Sequence, residues 1–331
     1  MKVSVIGGGS WGTAFSLHLS RLKIKTKLWI REKDIFQEME RSRENKVFLP
    51  GFTLSPLVSF FHDIQDAVES AEIIFIAIPS QFCRQIYSQI MPFLSSHQIV
   101  VSLTKGLEEG TLKRMTEVME EVFGGHPLPY LAVLSGPSFA KEVAEGHPTA
   151  VVVASREPNI ARKVQHLVSN LLFRTYTSED VIGVELAGAL KNVIAVAAGI
   201  SDAFDFGYNS MASLITRGLA EISRLGLKLG AKRETFSGLA GVGDLIVTCT
   251  GKLSRNRFVG YELGKGKSLQ SIISSMKMVA EGLRTALSAH ELAKREKIEI
   301  PICEQVYQVL YKNKDPKTAL YDLMSRKLKG E

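Results

Sequence analysis

The stretch Lys2–Ala14, KVSVIGGGSWGTA, decides the fold of this 331-residue chain. It reads as an apolar strand that ends at three consecutive glycines and is followed by the start of a helix. In such a turn Gly7 permits the bend, Gly9 lets a pyrophosphate approach the backbone, and Gly12 lets helix and strand pack closely. The N–H groups at the helix start then face an anion. The stretch therefore predicts a dinucleotide-binding turn, with a purely structural glycine turn as the alternative.

Size and composition predict a globular protein with two domains. Of the 331 residues, 45% are hydrophobic and 23% are charged, which is typical of a chain that buries a large core. The net charge of +7 suits anionic partners. Lys and Arg are nevertheless dispersed, so small phosphorylated ligands explain the surplus as well as nucleic acid does. Since no basic stripe carries interleaved aromatic residues, we expect no nucleic-acid partner.

Cysteine and histidine usage predicts a cytoplasmic protein without a metal. The three cysteines are odd in number and far apart, which favours a reducing compartment. They are Cys83, Cys249 and Cys303. The seven histidines show no spacing typical of metal ligands. The longest apolar stretch, residues 181–200, carries Glu185 and Lys191 near its middle, which argues against a membrane span.

Apolar runs that end at glycine or polar residues predict the strands of a doubly wound sheet over residues 1–180. They alternate with helical segments, of which residues 32–46 form one, and their carboxyl ends would meet at the edge where such sheets bind ligands. The runs are Lys25–Ile30, Glu72–Ile78, Gln98–Leu103, Tyr130–Leu134, Thr149–Ala154 and Leu171–Tyr176. This α/β pattern predicts an N-terminal Rossmann-type domain.

From residue 181 the sequence pattern changes to segments in which apolar residues recur with the period of a helix, without a clear strand. The predicted helices are Val181–Ile200, Ser210–Leu229, Ser268–Met276, Gly282–Lys294, Cys303–Tyr311 and Lys317–Arg326. Residues 181–331 are therefore expected to form an all-α domain.

Lys191 is the most unusual residue of the chain, because it lies among alanines, glycines and valines in VELAGALKNVIAVAAG. A charge on a packed helix is costly unless it is paired or lines a cavity. Burial and nearby cations would also lower its pKa toward a range useful for proton transfer. Lys191 is thus a candidate catalytic residue, and a lysine that simply faces solvent is the alternative.

Two further constellations could carry chemistry. Lys105 closes a predicted buried strand in T-K-G-L, where it could contact a carbonyl or a phosphate, or be an ordinary surface lysine. In GLAGVGDLIVTCTGKLSRN, residues 238–256, glycines predict a tight turn. There Asp244 could orient a lysine, Arg255 could bind a phosphate with its planar fork, and Asn256 could add an amide donor. The alternative is a structural glycine corner with a solvated S-R-N loop.

Arg31 follows the second predicted strand, near the point where many NAD-preferring folds carry an acidic residue. An arginine there can accommodate the 2′-phosphate of NADP, whereas the adjacent Glu32 could restore an acidic contact to the ribose. NAD and NADP both remain candidates. Together with the two lysines, Asp244 and Arg255, the cofactor turn suggests hydride transfer involving a small phosphorylated substrate.

At these residues the chain resembles the NAD(P)-dependent glycerol-3-phosphate dehydrogenases of the bacterial soluble type. The matching motifs occur in the family's order over nearly the whole chain. They are GGGSWGTA at 7–14, NKVFLPG at 45–51, TKGLE at 104–108, SGPSFAKEV at 135–143, ELAGALKNVIAVAAGI at 185–200, GLAGVGDLIVTCTG at 238–251, SRNRFVG at 254–260 and VAEGLRTA at 279–286. The resemblance implies that dihydroxyacetone phosphate and sn-glycerol 3-phosphate are interconverted, which supplies glycerol 3-phosphate for phospholipid synthesis.

The resemblance also implies residue roles and a homodimer. Lys191 would be the general acid/base, Lys105 would stabilise the developing charge on the substrate oxygen, and Asp244 would orient Lys191. The cofactor would contact Gly7, Gly9, Ser10, Trp11, Gly12, Arg31, Phe48, Lys105, Ala140, Arg255, Val279 and Glu281. The substrate would contact Lys105, Gly136, Ser138, Lys191, Asp244, Ser254, Arg255 and Asn256. Phe48 stands where many members have tyrosine, so a hydroxyl contact is lost there.

Two alternatives remain open from the sequence. The first is another dehydrogenase with a Rossmann and a helical domain, of the ketopantoate reductase or 6-phosphogluconate dehydrogenase type. The absence of a clear carboxylate-binding motif and the presence of S-R-N count against it. The second is a nucleotide-sensing or nucleic-acid-binding protein that uses the glycine turn without catalysis.

Overall fold

The computed structural model of the chain describes residues 1–124, 129–276, 278–328 and 330. The chain divides into two compact units. The first comprises Met1–Lys105 and Lys113–Glu185, and the second comprises Gly106–Leu112 and Leu186–Glu331.

The first unit is built around a sheet with helices between its strands. Its strands are β1 (Val3–Ile6), β2 (Thr26–Trp29), β3 (Glu44–Asn45), β4 (Leu49–Thr53), β5 (Val58–Phe61), β6 (Ile73–Ile76), β7 (Ile99–Ser102), β8 (Tyr130–Ser135), β9 (Thr149–Ala154) and β10 (Phe173–Ser178). Its helices are α1 (Ser10–Arg21), α2 (Lys33–Ser42), α3 (Ile64–Val68), α4 (Ser80–Ile90), α5 (Met115–Phe123), α6 (Ala140–Glu145) and α7 (Pro158–Val168).

Eight of these strands form one sheet in the order β10-β9-β8-β7-β6-β1-β2-β5. The central strand β1 pairs in parallel with β2 and β6, so that Val3 lies opposite both Thr26 and Ile73. All four residues of β1 are buried, as a strand covered by helices on both faces requires. The predicted doubly wound architecture is confirmed, and it places the glycine turn at the carboxyl end of β1.

Two features of this sheet differ from the expectation. β9 pairs antiparallel with β8, and β10 runs in parallel with β9, so the last two strands oppose the others. An apolar run reports that a strand is buried and says nothing of its direction, which is why the sequence could not show this. The small β3–β4 sheet and the edge strand β5 were not predicted, because β3 has only two residues, β4 has three exposed residues among its five, and the exposed Ser59 interrupts the apolar residues of β5.

The second unit is helical, as predicted, and contains no strand within its described residues. Its helices are α8 (Val181–Ala203), which begins in the first unit, then α9 (Gly207–Lys228), α10 (Arg233–Phe236), α11 (Asp244–Thr250), α12 (Arg255–Gly264), α13 (Leu269–Ser275), α14 (Glu281–Glu296), α15 (Pro301–Tyr311) and α16 (Pro316–Met324). A π-helical turn at Leu239–Gly243 leads directly into α11. Ser254, Arg255 and Asn256 begin a helix and do not form a loop; Ser254 and Asn256 are buried there, whereas Arg255 is exposed.

Helix α8 is long and apolar enough to cross a membrane by length and composition, but 89% of its most apolar stretch is buried inside the protein. It crosses α12 at very short range through two glycines. A β-carbon on Gly199 would lie 1.9 Å from the carbonyl oxygen of Arg257, and one on Gly260 would lie 1.9 Å from that of Val196. These glycines let the start of α12 be fixed against the helix that carries Lys191.

Candidate functional site

The glycine turn has three crowded positions, at Gly7, Gly8 and Gly12, and one open position, at Gly9. Gly7 has a φ of +123°, and a β-carbon there would lie 2.5 Å from the carbonyl oxygen of Ala77. A β-carbon on Gly12 would lie 1.9 Å from the carbonyl oxygen of Gly7. An ideal β-carbon on Gly9 meets no heavy atom within 4 Å. Gly7 and Gly12 thus serve close packing, while Gly9 leaves open space beside the backbone.

Helix α1 begins at this open position. Gly9 is the residue before the helix and offers no side chain to cap it, although its carbonyl oxygen accepts the Thr13 N–H at 3.0 Å. The positive end of the helix dipole therefore lies next to a position with no side chain. This geometry fits the pyrophosphate of a dinucleotide.

The short segment at residues 45–48, after α2, is hydrogen-bonded to the glycine turn. The Asn45 side chain donates to the carbonyl oxygen of Gly8 at 2.7 Å and to the Thr13 hydroxyl at 2.9 Å, and it accepts the Phe48 N–H at 3.0 Å. The Ser10 hydroxyl donates to the carbonyl oxygen of Phe48 at 2.7 Å. The structure thereby brings together Ser10 and Phe48, two of the predicted cofactor residues. Asn45 itself was missed, although it opens the quoted motif N-K-V-F-L-P-G.

Arg31 lies just beyond the end of β2 and is more than half exposed. Its guanidinium donates to the Glu32 carboxylate, at 2.9 Å from Nε and 2.5 Å from Nη2. Its guanidinium carbon also lies 5.3 Å from the centre of the Phe82 ring. A 2′-phosphate on the cofactor would compete with Glu32 for this guanidinium, so the structure leaves both NAD and NADP open.

Lys105, Gly136 and Ser138 form one half-buried cluster at the ends of neighbouring strands. Lys105 Nζ donates to the Gly136 carbonyl oxygen at 2.8 Å and to Ser138 Oγ at 3.4 Å. Gly136 has a φ of +132°, and a β-carbon there would lie 3.0 Å from Val151 Cα. This backbone conformation and the close approach to Val151 favour glycine at position 136, whose carbonyl oxygen accepts from Lys105. Ala140, also half-buried, begins helix α6 nearby in the chain.

Lys191 is buried in α8 and paired with α11, as its sequence environment predicted. Its Nζ lies 2.8 Å from Asp244 Oδ1 and 2.6 Å from Thr248 Oγ1. Only 5% of Lys191 and 1% of Asp244 are exposed. The Thr248 hydroxyl donates to the carbonyl oxygen of Asp244 at 2.6 Å, so its oxygen accepts from Lys191. The solvent-facing alternative for Lys191 is wrong.

Thr248 was missed by the sequence reasoning, although a signal existed. It follows Asp244 by four residues, and that spacing puts both side chains on one face of a helix. The glycines before Asp244 favour a turn in the sequence, so helix α11, which begins at Asp244, was not predicted. Cys249 beside them is fully buried and serves packing, and the same burial raises the pKa of its thiol to about 12.

The S-R-N residues form the first turn of α12. Ser254 caps the helix, since its hydroxyl accepts the Arg257 N–H at 3.2 Å. Arg255 is an exposed residue, yet desolvation of its guanidinium by nearby protein lowers the pKa of that group, an effect that the charge of Glu281 opposes. The start of this helix favours an anion, and the adjacent guanidinium adds a charged donor.

Asn256 holds three helices together. Its Nδ2 donates to the side-chain oxygen of Asn192 in α8 at 2.8 Å, and its Oδ1 accepts the Gly282 N–H of α14 at 2.9 Å. Asn192 was not among the predicted site residues. Glu281 is the first residue of α14, with Val279 two positions before it, so Asn256 fixes the helix end where two predicted cofactor residues lie.

No group of three His, Cys, Asp or Glu side chains in the described ranges is placed to hold a metal ion. The expected absence of a metal stays a prediction.

Comparison with known proteins identifies relatives over the whole chain. The model of the NAD-dependent glycerol-3-phosphate dehydrogenase N-terminus matches residues 2–161, and that of the C-terminus matches residues 180–321. A glycerol-3-phosphate dehydrogenase [NAD(P)+] of Syntrophotalea carbinolica is 50% identical over 331 residues, which cover 100% of this chain and 99% of the relative. Its counterpart in Geobacter sulfurreducens is 48% identical over 330 residues, covering 100% and 98%.

Solved structures agree with these relatives. A crystal structure of glycerol-3-phosphate dehydrogenase from Coxiella burnetii is 37% identical, with a TM-score of 0.94 and coverage of 98% of this chain and 99% of that one. A ketopantoate reductase from Ralstonia eutropha is 15% identical with a TM-score of 0.61, covering 97% and 100%. The second likeness is one of fold alone.

Proposed function

This chain belongs to the NAD-dependent glycerol-3-phosphate dehydrogenase family, and from that premise we propose which of its residues perform the reaction. It is an NAD(P)-dependent oxidoreductase that interconverts dihydroxyacetone phosphate and sn-glycerol 3-phosphate. The ketopantoate reductase and 6-phosphogluconate dehydrogenase alternative is not favoured, since both family models assign the chain elsewhere.

The glycine turn is the cofactor site in this proposal. The open space at Gly9 and the uncapped start of α1 fit a pyrophosphate. Asn45 holds the Phe48 segment against that turn, which supports cofactor roles for Ser10 and Phe48. When bound, NAD(P)H supplies the hydride that reduces C2 of dihydroxyacetone phosphate.

Lys191 acts as the general acid in the reducing direction. Its ammonium group donates a proton to the C2 oxygen of the substrate, and in the oxidising direction neutral Lys191 removes that proton. Asp244 and Thr248 both accept from Nζ and so fix its position. Lys105 stabilises the negative charge that develops on the same oxygen.

The phosphate of the substrate is held at the start of α12. Arg255 supplies a guanidinium fork, and the first backbone N–H groups of the helix supply further donors. Ser254 and Asn256 set the position of this turn through their contacts with Arg257, Asn192 and Gly282. A fixed phosphate orients C2 for the transfer.

Residues 1–180 thus bind the cofactor, and residues 181–331 supply the acid/base and bind the phosphate. The product serves phospholipid synthesis, and the enzyme acts in the cytoplasm as a homodimer. Cytoplasmic placement is supported by three cysteines, all buried and none in a disulfide. The dimer rests on the family resemblance.

The observation that carries the residue assignment is the burial of Lys191 against Asp244 and Thr248. The substrate is tested by NAD(P)H oxidation in the presence of dihydroxyacetone phosphate or of ketopantoate, and only dihydroxyacetone phosphate should be reduced. Arg255→Ala should raise KM for dihydroxyacetone phosphate by at least about tenfold with little effect on cofactor affinity, because a charged hydrogen bond is worth about 1.5–3 kcal/mol.

Arg326→Ala is a suitable control, because Arg326 is an exposed arginine on the same unit that pairs with Glu299 at 2.8 Å. Arg326→Ala should leave the KM for dihydroxyacetone phosphate and the affinity for the cofactor unchanged. An Arg255→Ala enzyme with unchanged KM would contradict the assignment of the phosphate site.

A further inference from the structure

The segment that follows Lys105 belongs to a different compact unit from Lys105 itself. Lys105 ends one stretch of the first unit, whereas Gly106–Leu112 groups with the helices of the second. The chain returns to the first unit at Lys113. The backbone of a proposed catalytic lysine is therefore attached directly to a segment that the helical unit holds.

This segment is a closed turn. Leu107 is 2% exposed and anchors its beginning. The N–H of Leu112 donates to the carbonyl oxygen of Glu108 at 3.0 Å, and the Thr111 hydroxyl donates to the Glu108 carboxylate. Gly110 has a φ of +83°, which favours glycine at the tip. Because the turn is internally braced, it can transmit a restraint applied at one of its residues.

That restraint comes from α14. Glu109 in the turn forms an ion pair with Arg284, which lies one helical turn after Glu281. The same end of α14 is fixed to Asn256 through the Gly282 N–H. Arg284 thus joins the turn after Lys105 to the helix end that carries a proposed cofactor residue and contacts a proposed substrate residue.

We propose that Arg284 is a positioning residue for the reaction, acting through Glu109 to hold the turn that places Lys105. The inference rests on the proposed role of Lys105. It assigns a task to a pair that touches neither substrate nor cofactor in the scheme above.

The expected effect is modest, because the side chains of Arg284 and Glu109 are 48% and 43% exposed. Exposed ion pairs are screened by solvent and salt. We expect Arg284→Gln and Glu109→Gln each to lower kcat/KM for dihydroxyacetone phosphate about threefold, within the range of such pairs. The loss should appear in kcat more than in KM, since Arg255 still holds the phosphate.

The decisive variant exchanges the charges. The double variant Arg284→Glu/Glu109→Arg restores the pair in reverse and should recover kcat/KM to within about twofold of the starting enzyme. Arg295→Gln is the matched control, because Arg295 is an exposed arginine on the same helix that pairs with its neighbour Glu296 at 3.0 Å. Its kinetic constants should not change. Thermal midpoints are recorded for every variant.

Three results would overturn the inference: single variants with unchanged kcat/KM, a double variant no better than the singles, or losses that follow the thermal midpoint. Lys105→Met separates this failure from failure of the proposed function. If Lys105→Met abolishes turnover while Arg284→Gln does nothing, only the positioning role is wrong. If Lys105→Met keeps its turnover, the catalytic assignment of Lys105 is itself wrong.

Discussion

Replacing Lys191 by methionine separates its catalytic role from its structural one. Methionine keeps much of the length and apolar character of the lysine stem but has no proton to donate. General acid/base catalysis contributes about 10²–10⁴-fold to rate, so Lys191→Met should lower kcat by that factor. The glycine turn is untouched, and the dissociation constant for NADH, measured by fluorescence titration, should remain unchanged.

The same substitution should also destabilise the protein. Asp244 is 1% exposed, and removing its partner leaves a buried carboxylate beside Thr248. Removing one partner of a buried ion pair costs about 3–5 kcal/mol. We therefore expect the midpoint of urea unfolding to fall clearly in Lys191→Met.

The double variant Lys191→Met/Asp244→Asn removes the uncompensated charge and should recover most of that loss in stability. Its kcat should remain as low as that of Lys191→Met, because the proton donor is still absent. A Lys191→Met enzyme with kcat within tenfold of the starting enzyme would refute the catalytic assignment. Recovery of activity along with stability would show that Lys191 acts only through the fold.

Three further outcomes follow from single sites. Gly9→Ala should weaken NADH binding and leave the thermal midpoint unchanged, whereas Gly12→Ala should reduce both the affinity for NADH and the thermal midpoint, because overpacking costs about 1–3 kcal/mol. Equal thermal midpoints for the two variants would contradict the packing argument. Arg31→Ala should raise KM for NADPH about fivefold more than KM for NADH if a 2′-phosphate binds there; equal changes would exclude that contact. Burial raises the pKa of Glu221 to about 7. Stability should therefore fall as pH rises from about 4.5 to 7 by up to about 3 kcal/mol, and Glu221→Gln should flatten this dependence in urea unfolding; an unchanged slope would contradict it.

The parts of the fold that the sequence predicted share one physical cause. Strands such as β1 and β6 are buried on both faces, so each appears as an apolar run, which ends at glycines after β1 and at Pro79-Ser80 after β6. The β3–β4 pair and β5 lack such a run, since β3 has only two residues, β4 is mostly exposed, and the exposed Ser59 interrupts β5. The direction of β9 is set by its pairing with the neighbouring strands β8 and β10, and a buried apolar run looks the same whichever way the strand runs.

The site divides along a similar line. Lys191 was identifiable because a charge in an apolar helix requires a tertiary explanation. Thr248 and Asn45 have only weak signals in the sequence, because polar residues of this kind occur throughout any chain and acquire their roles from neighbours. Thr248 needs the oriented Nζ of Lys191, and Asn45 needs the carbonyl oxygen of Gly8. Only the folded arrangement supplies these partners.

Asn256 shows why a residue's chemistry and its position must be read together. The sequence suggested an amide donor for the phosphate, yet both ends of this amide bind helices, at 2.8 Å to Asn192 and 2.9 Å to Gly282. An Nδ2 group has two hydrogens, so one donor can serve the fold while the other serves a ligand. A substitution there removes the support of α14 along with any ligand contact. Loss of activity in an Asn256 variant is therefore weaker evidence for a substrate contact than the same loss in a variant of the exposed Arg255.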